Sequence, residues 1–143
     1  MKRFRTFPAL LADAESLLAK AKPSFRHSAL QDLVQMLCDG RHYAWVGIYL
    51  AVAAPEPHRL LDAGADSERQ LSEEPSPRNR ILITLKVGPR EIGLLEVESD
   101  RPGAFGSAEV AFLEQLSGML SRYLAGPGKL AVRRARETSA ATS

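Results

Sequence analysis

Cysteine is almost absent from this chain, which carries Cys38 alone among its 143 residues. A single cysteine excludes a disulfide within one chain and any mechanism that needs two thiols of the same chain, and it is typical of a reducing compartment. Long hydrophobic runs are missing too, since the longest, near residues 43–54, falls well short of the roughly 20 apolar residues of a membrane span. We therefore expect a cytoplasmic protein without a membrane partner.

The formal net charge is +2, but the excess of basic over acidic residues lies at the two ends of the chain. Lys2, Arg3 and Arg5 contribute +3 and the stretch from Lys129 contributes another +3, so the body between them is net acidic. A nucleic-acid interface needs a basic patch on a folded face, and we expect no nucleic-acid partner. Residues 1–128 are predicted to form a single domain. Residues 129–143 are predicted to be a disordered basic tail that could contact RNA, lipid or nothing.

Recognisable metal-binding and catalytic patterns are also lacking. Cys38 and His42 are spaced like metal ligands, but a predicted helix end separates them and the chain has no further cysteine. His27 and His58 have no serine or acid at a triad spacing, and no glycine-rich phosphate loop is present. We therefore expect neither a metal nor a cofactor, and we interpret Cys38 as a small buried apolar residue.

Helical apolar spacing occurs near both ends of the chain. Thr6 is predicted to cap a first helix, and Ser24 a second one that ends at Asp39 and Gly40. Ser107 is predicted to cap the last helix, whose apolar stripe is wider than contact with one sheet requires. Part of that stripe is expected to contact another helix.

Alternating apolar and polar residues occupy the middle of the chain. They predict strands near residues 42–51, 58–63, 80–87 and 91–99, with a polar, proline-bearing loop at 64–79. This order of elements predicts an α+β domain with an antiparallel sheet. The N-terminal and C-terminal helices would pack on one face of the sheet, and the other face would be left for a ligand or a lid.

The alternation also predicts which side chains share the face turned away from the helices. Trp45 and Tyr49 of the first strand fall on that face, as do Glu96 and Glu98 of the last strand. Arg80 has matching parity and is predicted to form a part-buried ion pair with Glu96 or Glu98. These five residues are the candidate ligand-binding set. Two other interpretations stay open: the aromatic pair simply covers the sheet, or the two glutamates form a solvated face rather than an acid/base pair.

Two blocks of the chain resemble a known family. The sequence YAWVGIYLA at 43–51 and the stretch RILITLKVGPREIGLLEVESDRPGAFGSAEVAFLEQLSGMLSRYLAG at 80–126 closely resemble the GAF family of small-molecule-binding and regulatory domains. The resemblance implies the same α+β architecture that the order of elements indicates. By analogy with family members, it also implies a homodimer formed through the terminal helices.

Within that family the chain is most similar to the free methionine-(R)-sulfoxide reductases. Their first strand carries a tryptophan-glycine-tyrosine pattern, which Trp45, Gly47 and Tyr49 match. Their final strand carries two acidic residues in alternation, where Glu96 and Glu98 stand here. The resemblance implies that the aromatic pair walls a pocket and that the acidic residues bind a substrate ammonium group or assist the chemistry.

Three departures from that branch favour a module without catalysis. Only the loop at 64–79 stands where the family places several tens of residues, including a lid and its reactive cysteines. Cys38 matches none of the family's cysteine positions, whereas reduction of a sulfoxide by thiolate attack and resolution requires two thiols. Arg80 stands where the family keeps a glutamate.

These observations predict a reduced GAF-like regulatory or dimerisation module with at most a shallow small-molecule site. Two alternatives remain. One is a sensor of a small molecule such as an amino acid or a nucleotide-like compound. The other is a degenerate reductase.

Overall fold

The computed structural model describes residues 4–19, 29–51, 58–65 and 79–126. In this part of the chain the elements are, in order, α1 (Phe7–Ala19), α2 (Ala29–Arg41), β1 (Trp45–Ala51), β2 (His58–Ala65), β3 (Asn79–Val87), β4 (Arg90–Ser99) and α3 (Ser107–Ala125). The predictions about the Ser24 cap, about residues 66–78 of the loop and about the tail at 129–143 lie outside the described residues.

The four described strands form one antiparallel sheet in the order β2-β1-β4-β3. β3 and β4 form a hairpin whose tight turn needs a residue with a positive φ, and Gly88 supplies it at 61°. β1 lies between β2 and β4, so Trp45 is opposite Ala65 on one side and Glu98 on the other. The α+β prediction is confirmed.

The helices pack on one face of this sheet. α2 contacts β1 and β2, α3 contacts β3, and α1 packs against both α2 and α3. The strands contribute to the core the residues that alternation predicts for a helix-covered face, among them Val46, Ile48, Leu95 and Val97. The predicted placement of the terminal helices is therefore confirmed.

The end of α2 differs from the prediction, because the helix continues through Gly40 to Arg41. Gly40 is buried against α1: a Cβ atom there would lie 2.9 Å from Leu10 Cδ2. Its carbonyl accepts a hydrogen bond from the Arg5 amide (2.9 Å). The positive φ that ends the helix lies at His42, at 55°. Glycine serves here as a close-packing residue and not as a C-cap.

The helix caps give one confirmed and one wrong prediction. Thr6 caps α1, since its Oγ1 accepts a hydrogen bond from the Ala9 amide at 3.3 Å. Ser107 is not a cap but the first residue of α3, and Gly106 occupies the N-cap position without a side-chain hydrogen bond.

The ends of two strands differ from the prediction. β1 begins at Trp45 rather than near residue 42, and β2 extends to Ala65.

Candidate functional site

The helix-free face of the sheet carries the five candidate residues together. Strand register sets Trp45 directly opposite Glu98, and Arg80 is opposite Glu98 from the other side. Glu96 is opposite Gly47, and Gly47 lies two residues before Tyr49 and on the same face of β1. The predicted arrangement on one face is confirmed, and a ligand-binding role for these side chains stays a prediction.

The indole of Trp45 lies across Gly47. A Cβ atom built on Gly47 would lie 2.1 Å from the Cη2 atom of that ring, so any larger residue would displace it. The ring is tilted by 51° against Tyr49, with centroids 6.3 Å apart, and both aromatic side chains are half-buried. The glycine of the tryptophan-glycine-tyrosine pattern therefore makes room for the neighbouring indole.

Arg80 pairs with Glu96, as one of the two predicted alternatives. Nη1 of Arg80 lies 3.7 Å from Oε1 of Glu96, a diagonal contact across the two strands and longer than a hydrogen bond. The expectation of a part-buried pair holds only for the carboxylate, because the Glu96 side chain is 13% exposed and that of Arg80 57%. An ion pair that is this accessible to water contributes at most about 1 kcal/mol to the free energy of unfolding.

Burial raises the pKa values of two groups on this face. Burial raises the pKa of Glu96 above its ordinary value; Arg80 opposes the shift without cancelling it, and Glu98 adds to it. The pKa of Tyr49 is also raised, by burial first and then by the charges of Glu96 and Glu98. The face therefore suits a cationic or hydrogen-bond-donating group more than an anion.

Two leucines extend the same face toward its outer strands. Leu60 on β2 is opposite Tyr49, and Leu82 on β3 is opposite Glu96. Their exposures are 50% and 47%, so the described residues leave this face shallow rather than enclosed.

Cys38 lies on the other side of the sheet. It is fully buried on α2, within the core that α2 shares with Val46 and Ile48 of β1. The prediction of a small buried apolar residue is consistent with this position. The thiol is thus separated by the sheet from Trp45, Tyr49 and both glutamates.

A buried ionic cluster around Glu109 was missed by the sequence analysis, which assigned this residue only to the first turn of the last helix. Arg41 donates two hydrogen bonds to its carboxylate, from Nε at 3.0 Å and from Nη2 at 2.8 Å. The Tyr43 hydroxyl donates a third at 2.8 Å, and Nη2 of Arg101 lies 3.6 Å away. Glu109 is only 5% exposed, so these partners replace water.

Arg41 of the same cluster also contacts the segment at residues 4–7, where the described chain begins. Nη1 of Arg41 donates to the Arg5 carbonyl at 3.0 Å, and its guanidinium lies over the rings of Phe4 and Phe7, 5.0 and 4.3 Å from their centroids. Burial acts to lower the pKa of Arg41, but the hydrogen bonds and charge of Glu109 raise it overall. Burial and the charge of Glu109 also raise the pKa of Tyr43. We interpret the cluster as a structural clamp and not as a reactive site.

An open groove of about 820 Å³ runs along the outer side of α1 and α3. Half-buried Leu11, Met119 and Tyr123 form part of its apolar floor, and burial raises the pKa of Tyr123. The lining comprises Pro8, Leu11, Ala12, Glu15, Leu18, Ala19, Glu114, Gln115, Gly118, Met119, Arg122 and Tyr123. The predicted contact of the α3 stripe with another helix is made by α1, and Met119 and Tyr123 of the stripe lie in this groove.

The described residues include neither a metal-ligand cluster nor a membrane-spanning helix. Within the described ranges, no three or more histidine, cysteine, aspartate or glutamate side chains come together as ligands for a metal ion. Of the described helices, none has the length and apolarity to cross a membrane.

The sheet order, the helices on one face and the aromatic and acidic residues on the other define an α+β domain with the GAF-like fold. Three solved structures are similar to it. The GAF domain of an Acinetobacter phosphoenolpyruvate-protein phosphotransferase has 15% sequence identity and a TM-score of 0.60, over 82% of this chain and 92% of that one. The free methionine-R-sulfoxide reductase of Neisseria meningitidis, in complex with its substrate, has 16% identity and a TM-score of 0.69, over 94% and 99%.

The third structure is fRMsr of Staphylococcus aureus, also in complex with substrate, with 15% identity and a TM-score of 0.61 over 87% of this chain and 99% of that one. At this level of identity the likeness defines the fold and not the activity. No family model and no curated protein matches the chain.

Proposed function

We propose that this protein is a non-catalytic GAF-like module that forms a homodimer through α1 and α3 and acts as a regulatory or scaffolding unit in the cytoplasm. The observation that supports this proposal most is the groove that the two terminal helices form together. Its half-buried apolar floor, with Met119 and Tyr123 on α3 and Leu11 on α1, is surface that a second helix pair would cover.

The pattern of α3 suits contact with its own copy. Gly118 lies half-exposed in the groove, and without a side chain it permits close approach of another helix. Glu114 and Arg122, both exposed, lie four residues before and after it. In an antiparallel pair of α3 helices crossing at Gly118, each Glu114 therefore lies near Arg122 of the other copy, about 6 Å along the axis from the crossing.

The position of Cys38 argues against retained reductase chemistry. Attack on a sulfoxide needs an accessible thiolate, and this thiol is fully buried on the helix side of the sheet. The chain has no second cysteine to resolve a sulfenic acid. Replacing Cys38 by serine should leave any turnover of methionine sulfoxide unchanged, and a loss of turnover would revive the alternative of a degenerate reductase.

A charge exchange on α3 tests the dimer. Glu114→Arg and Arg122→Glu should each weaken association, because each places like charges together in the antiparallel pair. The double variant should restore it, since the two charges are simply exchanged between the copies. Analytical ultracentrifugation over a range of protein concentrations gives the dissociation constants of the three variants and of the unmodified protein. Failure of the double variant to recover, or a strict monomer in the unmodified protein at high micromolar concentration, would contradict the proposal.

A second pair of variants separates the groove from general surface effects. Met119→Glu introduces a charge into the half-buried floor, whereas Ser16→Glu introduces the same charge on an exposed position of α1 outside the groove. Only Met119→Glu should weaken the dimer, by at least about tenfold, which corresponds to about 1.4 kcal/mol. Equal effects of the two variants would show that the association uses another surface.

A second candidate function is a small-molecule sensor. It is favoured by the half-buried Glu96 beside Trp45 and Tyr49, and by the structural likeness to two reductases that were determined with their substrates. A cationic ligand would displace Arg80 and pair with Glu96. Thermal shift against amino acids, purines and cyclic nucleotides tests this, because a ligand at 100 times its Kd stabilises the folded state by about 2.7 kcal/mol. If none of these compounds raises the melting temperature, the dimeric module remains as the supported function.

A further inference from the structure

The segment Phe4–Thr6 precedes α1 and binds to the end of α2; we call it the strap. Its Arg5 amide donates to the Gly40 carbonyl at 2.9 Å, and its Arg5 carbonyl accepts from Nη1 of Arg41 at 3.0 Å. The Arg5 side chain forms an ion pair with Asp13 on α1. The strap is thus bound through its backbone to α2 and through a side chain to α1.

The ring of Phe4 connects the strap with two arginines. The guanidinium of Arg41 lies 5.0 Å from the ring centroid and that of Arg101 lies 4.6 Å from it, while the ring of His42 meets it edge-on at 4.9 Å. Phe4 nevertheless remains 41% exposed. A segment that buries so little apolar surface opens at a low free-energy cost, without unfolding of the whole domain.

Arg41, the last residue of α2, connects the strap with both other helices. Its guanidinium lies 4.3 Å from the ring centroid of Phe7, the first residue of α1, and it donates two hydrogen bonds to Glu109 in the first turn of α3. The ring of Phe7 stacks in turn on Phe112 of α3, with centroids 4.9 Å apart. The contacts of Arg41 therefore set the spacing between the starts of α1 and α3.

These two helices also line the groove that is proposed above as the dimer interface. Pro8, the second residue of α1, lies in the groove, as does Leu11 one turn later. Phe4, Arg41 and Glu109 lie outside the lining of the groove. Because an interface between two helix pairs depends on the fit of their surfaces, a shift of the start of α1 changes the surface that a second copy meets.

We propose that the strap controls the affinity of the dimer, with Phe4 and Arg41 as positioning residues that hold α1 in the arrangement that the interface requires. This inference rests on the proposed function, since it concerns the same groove. When the strap opens, Arg41 loses its contacts with the Arg5 carbonyl and with Phe4, and the start of α1 is less firmly held. Both protomers need a closed strap, so the dissociation constant rises with the inverse square of the closed fraction.

Phe4→Ala tests this inference, because it weakens the strap but leaves the groove and the hydrogen bonds of Glu109 in place. If the strap is then closed in about one half to one third of the protomers, the dissociation constant of the dimer rises about four- to ninefold. Tyr43→Phe is the matched control. It removes a hydrogen bond to the same Glu109 carboxylate and keeps the contacts of Arg41 with the strap and with Phe7.

Two measurements on both variants and the unmodified protein separate positioning from stability. Urea unfolding, at a protein concentration below the dissociation constant, should show a smaller loss of stability in Phe4→Ala than in Tyr43→Phe, since Phe4 is partly exposed and Tyr43 is fully buried. Analytical ultracentrifugation should show the reverse order, with a weakened dimer in Phe4→Ala and an unchanged one in Tyr43→Phe. A role in stability alone would give the same order in both measurements.

Hydrogen exchange locates the change. In monomeric Phe4→Ala, the amides in the first turns of α1 should exchange faster, among them that of Leu10, which donates to the Thr6 carbonyl at 3.1 Å. Unchanged exchange in α1, or an unchanged dissociation constant in Phe4→Ala, would overturn the inference and leave the dimer standing. A strict monomer in the unmodified protein is the distinct outcome that contradicts the proposed function itself, and the inference falls with it.

Discussion

Removal of the buried Glu109 carboxylate should destabilise this domain more than removal of a surface carboxylate such as that of Asp13. Glu109→Ala deletes an acceptor of three hydrogen bonds, two from Arg41 and one from Tyr43. The Arg41 side chain is 13% exposed and Tyr43 is fully buried, so neither donor gains full access to water. A buried charge left without its partner costs roughly 3 to 5 kcal/mol. Because Arg41 keeps some access to water and its contact with Phe7, we expect about 3 kcal/mol.

Urea unfolding measured by far-UV circular dichroism gives this number. With a slope of about 2 kcal/mol/M, the midpoint should fall by about 1.5 M. Asp13→Ala is the matched control, since Asp13 pairs with Arg5 at the surface, where the two side chains are 51% and 43% exposed. The control should cost at most about 1 kcal/mol.

An intermediate variant tests the cause. Tyr43→Phe keeps the ring and the Arg41 pair but removes one bond to a charged acceptor, and should cost about 1.5 kcal/mol. If Glu109→Ala costs no more than Asp13→Ala, the clamp does not hold the fold and this reasoning is refuted. Hydrogen exchange offers a second readout. Loss of the Glu109 contact should free Arg41 from the Arg5 carbonyl, and the Arg5 amide, which donates to Gly40, should then exchange faster.

Three further changes have expected outcomes. Gly47→Ala should displace the indole of Trp45, the single tryptophan of the chain, and shift its fluorescence emission; an unchanged spectrum would contradict the contact. Glu96→Gln should gain stability relative to the unmodified protein as pH rises above about 4.5, the ordinary pKa of a glutamate. Burial raises the folded-state pKa of Glu96, so its ionisation costs stability as pH rises, and a pH-independent difference in urea midpoint would contradict this. Thr6→Ala should cost about 1 kcal/mol in urea unfolding through loss of the Ala9 cap bond, and no change would show that water replaces it.

The fold and the helix-free face could be predicted because both follow from short-range patterns. Alternation along β1 and β4 fixes which side chains share a face, and it placed Trp45 and Tyr49 with Glu96 and Glu98 without any knowledge of the pairing. Strand parity then gave the direction of Arg80 and a pairing with Glu96 or Glu98, of which the structure shows the contact with Glu96. Strand parity could not give the exposure of the Arg80 guanidinium. Exposure depends on how neighbouring segments cover the side chain and not on the two-residue alternation of the strand.

The Glu109 clamp could not be predicted for the opposite reason. Arg41 and Tyr43 lie 68 and 66 residues from Glu109 in the sequence, so no local spacing relates them. A glutamate in the first turn of an amphipathic helix is usually solvated and favourable to the helix dipole, and that interpretation fits the sequence equally well. One signal distinguishes it: Glu109 precedes Phe112 and Leu113 by three and four residues, which places it on the buried stripe and not on the polar side. A charged residue on the apolar face of a helix requires a buried partner, so such a position should be read as half of an ion pair.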